Sequence, residues 1–93
     1  MPSPTFHLRI LSPRETIFEG DVETVSSKNR LGLFDILPTH SNFITVIENE
    51  PIVVKKEGGQ KATFNFPIAI IHTRENEVMV YTGLASQGLT LRS

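Results

Sequence analysis

The sequence predicts an all-β domain, an antiparallel β-sandwich or flattened barrel of short strands. Three observations lead to this prediction. Apolar, β-branched and aromatic residues come in short runs, turn residues separate the runs about every eight to twelve positions, and no segment has a convincing helical period. Such a pattern is typical of small domains whose sheets pack face to face around one core.

Composition limits the class of protein. The 93 residues suit a single domain over residues 1–93, and the absence of cysteine excludes disulfides and thiolate metal sites. Nine basic and ten acidic residues leave a formal charge of −1 without a long block of one sign, so nucleic acid is not an expected partner. The longest uninterrupted apolar run, Phe66 to Ile71, is far shorter than the roughly 20 residues of a membrane-spanning helix. We therefore expect no direct membrane insertion.

The first strand is predicted from strict alternation. Phe6, Leu8 and Ile10 are separated by His7 and Arg9, so the apolar side chains share one face and His7 lies on the wet face.

Turn residues then divide the rest of the chain. Ser12–Glu15 contains a proline and ends the first strand, Glu19–Asp21 is predicted to be a second turn, and Gly58-Gly59 marks a hairpin. The tail, Thr82–Ser93, is predicted to be irregular with one possible final strand. The strands predicted between these turns are Thr16–Phe18, Val22–Ser26, Leu33–Leu37, Phe43–Glu48, Ile52–Val54, Ala62–Phe66, Ile68–His72 and Val78–Tyr81.

The centre of the chain carries its most specific features. Ser27–Arg30 is predicted to be a polar loop tip with two cations, because loop tips are normally solvated. Asp35 lies in an otherwise apolar run that ends at Pro38, and an isolated carboxylate there needs solvent or a hydrogen-bond partner. We expect that partner among residues 39–41.

The sequence contains none of the common metal-binding, catalytic-serine or phosphate-binding motifs. The three histidines lie more than thirty residues apart, no G-x-S-x-G motif surrounds a serine, and Gly58-Gly59 lacks the Lys-Ser/Thr of a phosphate-binding loop. We therefore expect no enzyme, no metal site and no cofactor.

Three segments in order carry a family resemblance: Leu8–Pro13, Ile17–Glu23 and Leu33–Thr45. Together they resemble the N-terminal β-sandwich domain of the ε subunit of F-type ATP synthases, over about residues 6 to 85. The residues that match the x-F-x-G-x-V element of that family are Phe18, Gly20 and Val22, and those that match its Pro-Gly-His corner and following strand are Pro38, His40 and Thr45.

The resemblance implies a non-catalytic central-stalk (rotor) subunit of a proton-translocating F-type ATP synthase. Such a subunit couples c-ring rotation to the catalytic head through the γ subunit. It is peripheral, on the cytoplasmic face of the energy-coupling membrane through the complex. The implied γ interface is Pro38, His40, Phe43 and Thr45. The implied loop facing the c-ring polar loops is Lys28, Asn29, Arg30, Leu31, Gly32 and Leu33.

The chain departs from the family pattern at this loop. Leu33 stands where an acidic residue is usual, Asp35 where a glycine is usual, and Thr39 follows Pro38 where glycine is usual. The sequence ends at Ser93, so no counterpart of the family's C-terminal helical hairpin is expected. The alternative is a free-standing β-sandwich ligand-binding module. Such a module would keep an aromatic cluster, whereas the chain has one tyrosine and no tryptophan; an assembly subunit would instead expose an apolar face.

Overall fold

The computed structural model describes residues 4–39 and 41–83, and every regular element in them is a β-strand. The strands are β1 (Phe6–Leu11), β2 (Thr16–Asn29), β3 (Gly32–Ile36), β4 (Phe43–Glu48), β5 (Pro51–Lys56), β6 (Lys61–Asn65), β7 (Ile68–Arg74) and β8 (Glu77–Thr82). The predicted all-β sandwich class is confirmed.

The strands form one curled sheet in the order β4-β7-β8-β1-β2-β5-β6, and β3 pairs with β2. All pairs are antiparallel except β1 and β8, which run parallel with Leu8 opposite Val78. The sheet is therefore mixed, and all its other described pairs are antiparallel, as the sequence predicts. The two parallel strands come from opposite ends of the described chain, so no tight turn constrains them to run in opposite directions.

The predicted turn at Glu19–Asp21 is wrong, because β2 continues through it. Gly20 pairs with Leu8 in the ladder between β1 and β2 and does not adopt a positive φ. An irregularity between Val22 and Thr24 then bends β2. The first half of the strand pairs with β1 and the second half with β3 and β5, so one long strand folds the sheet into two facing layers.

The core lies between these layers and follows from the period-two pattern of the strands. Its fully buried side chains are Phe6, Leu8, Ile10, Val22, Val25, Ile36, Ile47, Ile52, Val54, Ala69, Ile71, Val78 and Val80. The expectation that Phe64 and Phe66 share a face is confirmed, since their rings stack with centroids 6.3 Å apart. Thr73 lies just past the strand predicted at Ile68–His72 and is instead a buried residue of β7.

Candidate interaction surfaces

The hairpin end between β2 and β3, defined as residues 28–33, is the first candidate surface. It is called the ring-side turn here after the contact that the sequence predicts for it. Lys28 pairs with Leu33 and Asn29 with Gly32, so the structure brings all six predicted residues together. The predicted loop tip is shorter than expected, because β2 runs to Asn29 and only Arg30 and Leu31 form the turn. The six residues thus form a paired hairpin end.

Two local features fix the shape of this turn. The backbone N–H of Leu31 donates to Asn29 Oδ1 at 2.8 Å, a side-chain turn that asparagine makes readily. Gly32 has a φ of 126°, which only glycine adopts without strain. The turn shaped in this way exposes two leucines to solvent: Leu31 is 96% exposed and Leu33 is 86% exposed.

The charges around the turn are mixed. A depression of about 160 Å³ beside it is lined by Lys28 and Arg30 and also by Glu48 and Glu50. A second cleft, of about 270 Å³, has the apolar residues Leu33, Phe34, Pro51 and Val53 in its lining. The carboxylate of Asp35 accepts a hydrogen bond from Ser26, its cross-strand neighbour, which the sequence did not predict as its partner.

Strand β4 is the second candidate surface, and its side chains alternate. Phe43 and Thr45, both predicted to face γ, are half-buried and turned inward, where Phe43 meets Phe34 edge-on with ring centroids 6.2 Å apart. Ile44 and Val46 point the opposite way and are 67% and 46% exposed. The outward side of β4 is therefore apolar at Ile44 and Val46 and charged at its end, Glu48.

The outward side of β4 continues into a wider apolar face. The register sets Ile44 beside His72 and Val46 beside Ile70 on β7. It continues across β8 and β1, where the outward half-buried residues are Met79, Tyr81 and Leu11, and it is bounded by the charged Arg9, which lies opposite Met79. We call this set the outer apolar face: Ile44, Val46, Ile70, His72, Met79, Tyr81 and Leu11. A sandwich normally keeps the outer side of a sheet polar.

Of the remaining predicted γ-side residues, Pro38 is half-buried in the turn after β3. His40 lies outside the described residues.

A charged cluster lies on the strand pair β1–β2. His7 Nε2 is 2.9 Å from Glu19 Oε2, and His7 Nδ1 is 3.2 Å from Asp21 Oδ1. Both hydrogen bonds raise the pKa of His7 above its ordinary value, and the one to Glu19 has the larger effect. Arg9 Nε lies 3.8 Å from the same Glu19 oxygen.

Within residues 4–39 and 41–83, no group of three or more histidine and acidic side chains is arranged to hold a metal ion. The same residues contain no helix long and apolar enough to cross a membrane.

Residues 5–88 match the family described as the ATP synthase, Delta/Epsilon chain, beta-sandwich domain. The chain belongs to this family.

Two relatives of this chain are ATP synthase epsilon chains. That of Clostridium acetobutylicum is 32% identical over 72 residues, which are 76% of this chain and 53% of the relative. That of Nitratiruptor sp. is 27% identical over 73 residues, which are 78% of this chain and 57% of the relative. The chain thus spans about half the length of these relatives.

Solved ATP synthases contain the same fold. In the Euglena gracilis mitochondrial ATP synthase (OSCP/F1/c-ring, rotational state 1), the similar chain superposes with a TM-score of 0.78 at 18% identity, covering 85% of this chain and 51% of that one. In the central stalk/c-ring of the Tetrahymena thermophila enzyme the TM-score is 0.72 at 9% identity, covering 88% and 66%. At these identities the likeness establishes the fold of the delta/epsilon domain.

Sequence reasoning missed the outer apolar face of this delta/epsilon domain. The available signal was a strand with apolar residues at both parities, as in Phe43–Ile47 and Ile68–Ile71. Such strands are apolar on both sides, and only one side can face the domain's own core.

Proposed function

We propose that this chain is a non-catalytic central-stalk subunit of a proton-translocating F-type ATP synthase, whose 93 residues form one domain. It would couple c-ring rotation to the catalytic head through the γ subunit. The observation that carries the proposal is the outer apolar face on a domain of the delta/epsilon family. An apolar face of this kind on a small domain marks a surface that a protein partner covers.

The outer apolar face is the proposed γ contact. Ile44 and Val46 are its most exposed members and lie at its rim. Phe43 and Thr45, with Pro38 and His40, remain the predicted interface segment. The inward side chains of Phe43 and Thr45 would support this contact from beneath.

The ring-side turn is the proposed contact with the polar loops of the c-ring. Its exposed leucines would supply apolar contact area. Its cations would pair with acidic groups of the ring, and the nearby Glu48 and Glu50 would pair with basic groups. The chain would then be peripheral on the cytoplasmic face of the energy-coupling membrane, held there by the complex.

The proposed mechanism is mechanical. Torque passes through a domain only if the domain does not deform, and a packed β-sandwich core resists deformation. The two proposed contacts lie on β4 and on the β2–β3 hairpin. A hydrogen bond joins them, in which Asn29 Nδ2 of the hairpin donates to Thr45 Oγ1 of β4 at 2.9 Å. A load applied at one contact would therefore reach the other through a short rigid path.

The test is a pull-down of the chain with purified γ subunit and with purified c-ring, alongside size-exclusion chromatography of the chain alone. Ile44→Ser is expected to weaken γ binding and leave ring binding unchanged. Leu31→Ser with Leu33→Ser is expected to do the reverse, and charge reversal at Lys28 and Arg30 separates the electrostatic part of ring binding. If wild type binds neither partner and elutes as a monomer, the ligand-binding module becomes the better reading.

A further inference from the structure

Strand β4 forms one edge of the curled sheet. It pairs with β7 over six consecutive positions without a bulge, and no other described strand lies beside it in the sheet. An edge strand presents a row of backbone N–H and C=O groups to its free side. Which residues of β4 carry that row follows from two hydrogen bonds.

Both hydrogen bonds run from β4 toward β7. At the start of the strand the Phe43 N–H donates to Thr73 Oγ1 at 2.8 Å. Just past its end the Asn49 N–H donates to the Pro67 carbonyl at 3.0 Å. In an antiparallel pair the direction of the backbone groups alternates along the strand. Odd-numbered positions of β4 therefore face β7.

The even-numbered positions Ile44, Val46 and Glu48 consequently direct their backbone N–H and C=O groups toward the free side. Ile44 and Val46 are also the residues with exposed apolar side chains. The same short segment thus offers an apolar surface and, next to it, a row of backbone hydrogen-bonding groups. That combination recognises an extended chain with apolar residues at alternate positions.

Little in the sequence of β4 protects this edge, since its only charged residue, Glu48, lies at the end of the strand. Protein edges are usually blunted by proline, lysine, bulges or very short strands. Strand β4, Phe43–Glu48, has none of these. The opposite edge strand, β6, starts with Lys61 and is soon followed by Pro67. Strand β3, which pairs with β2 alone among the described strands, leaves a further edge. The β4 and β6 edges differ in the way expected if one is meant for a partner and the other for solvent.

A depression lies beside the second half of the free edge. The depression of about 160 Å³ is lined by Val46 and Glu48 from β4 and by Lys28 and Arg30 from the ring-side turn. The surface therefore recedes along the second half of the free edge. The link from Asn29 to β4 goes to Thr45, whose side chain points inward, so it does not occupy the edge.

We infer that β4 accepts a β-strand of the γ subunit, so that hydrogen-bonded sheet structure continues across the interface. This inference rests on the proposed function and specifies how γ is held. A strand pair adds backbone hydrogen bonds between the two subunits, and these resist sliding along the interface better than apolar contact alone. Such a junction suits a stalk that carries torque.

Two variants at one position separate backbone pairing from apolar contact. Val46→Pro removes an N–H that points to the free side and is not needed by β7, and proline is tolerated at such edge positions. Val46→Thr keeps that N–H and the side-chain shape but removes apolar area. We expect Val46→Pro to weaken γ binding by roughly tenfold to a hundredfold and Val46→Thr by less than about fivefold. Circular dichroism checks that both variants are folded.

Amide hydrogen exchange of the wild-type chain gives a reading that needs no variant. In the free chain we expect fast exchange at Ile44, Val46 and Glu48. In the complex with purified γ, exchange at these three amides should slow by about a hundredfold or more. If wild type binds γ while these amides still exchange as in the free chain, or if the proline and threonine variants bind alike, strand pairing is overturned and the proposed function stands. If wild type does not bind γ, the proposed γ contact and this inference both fall.

Discussion

Asn29 Nδ2 donates a hydrogen bond of 2.9 Å to Thr45 Oγ1 and so joins the two proposed contact surfaces. The other end of the same amide, Oδ1, accepts the Leu31 N–H at 2.8 Å. One side chain therefore shapes the ring-side turn and ties it to β4. Asn29 and Thr45 are both half-buried, so water does not freely replace these hydrogen bonds. Breaking the link should therefore lower the free energy of unfolding measurably.

Thr45→Val is the sharpest test of this link. It keeps the shape of the side chain and leaves the Asn29 amide without its acceptor. We expect the free energy of unfolding to fall by about 1 kcal/mol, measured by urea denaturation. Thr63→Val, at an exposed position of β6, is the matched control and should change it by less than about 0.5 kcal/mol. Equal effects at the two sites would show that the link contributes nothing.

Gly32 should resist substitution for a reason of backbone conformation alone. A Cβ at Gly32 would meet no atom within 4 Å, yet its φ of 126° is unfavourable for any other residue. Gly32→Ala is expected to destabilise the chain by about 1–3 kcal/mol, measured as a lower urea midpoint. Gly20→Ala is the control, since Gly20 has no positive φ and its Cβ would only touch the Phe18 ring at 3.6 Å. A neutral Gly32→Ala would contradict this account of the turn.

Neighbouring residues of β4 should separate folding from binding. Phe43 is half-buried against Phe34, so Phe43→Ala is expected to cost about 2 kcal/mol of folding stability. Ile44 is 67% exposed, so Ile44→Ala should change stability by less than about 0.5 kcal/mol while weakening γ binding. Thermal unfolding and a γ pull-down, run on both variants, check this. The reverse pattern would mean that the inward residue is the contact.

This pair also marks the limit of what the sequence predicts. The bounds of β4 were predicted correctly as Phe43–Glu48, because alternation and β propensity are local signals. The sequence Phe43–Ile47 is apolar at both parities, apart from Thr45, so it cannot say which parity faces the core. Which side of β4 faces inward depends on the residues that pack beneath the strand. Here Phe34 contacts Phe43, and Asn29 contacts Thr45.

Non-local pairing explains the other errors. Gly20 looks like a turn residue by itself, but its position opposite Leu8 keeps it in a ladder. Asp35 was expected to bond within its own corner, whereas its partner Ser26 comes from the neighbouring strand. Both depend on strand register, which a single sequence specifies only weakly.

His7 should make stability depend on pH. Its two ring nitrogens contact Glu19 and Asp21 at once, and both nitrogens can donate only when the ring is protonated. These two hydrogen bonds raise the pKa of His7, although partial burial opposes the shift, and the cation Arg9 lies beside the same Glu19 carboxylate. Because the folded pKa is above the unfolded value of about 6.5, the stabilisation is complete below that pH and is lost as pH rises through the folded pKa.

His7→Gln should therefore destabilise the chain most at about pH 5.5 and least at about pH 9, where wild-type His7 is neutral. Urea denaturation of both proteins across this range gives the difference directly. Glu19→Gln is the matched control: it removes the main partner and should flatten most of the pH dependence with the histidine still present. Because His7 is over a third exposed, added salt should shrink the effect. A His7→Gln difference that stays constant with pH, or grows toward about pH 9, would show that the histidine is not held as a cation between these two carboxylates.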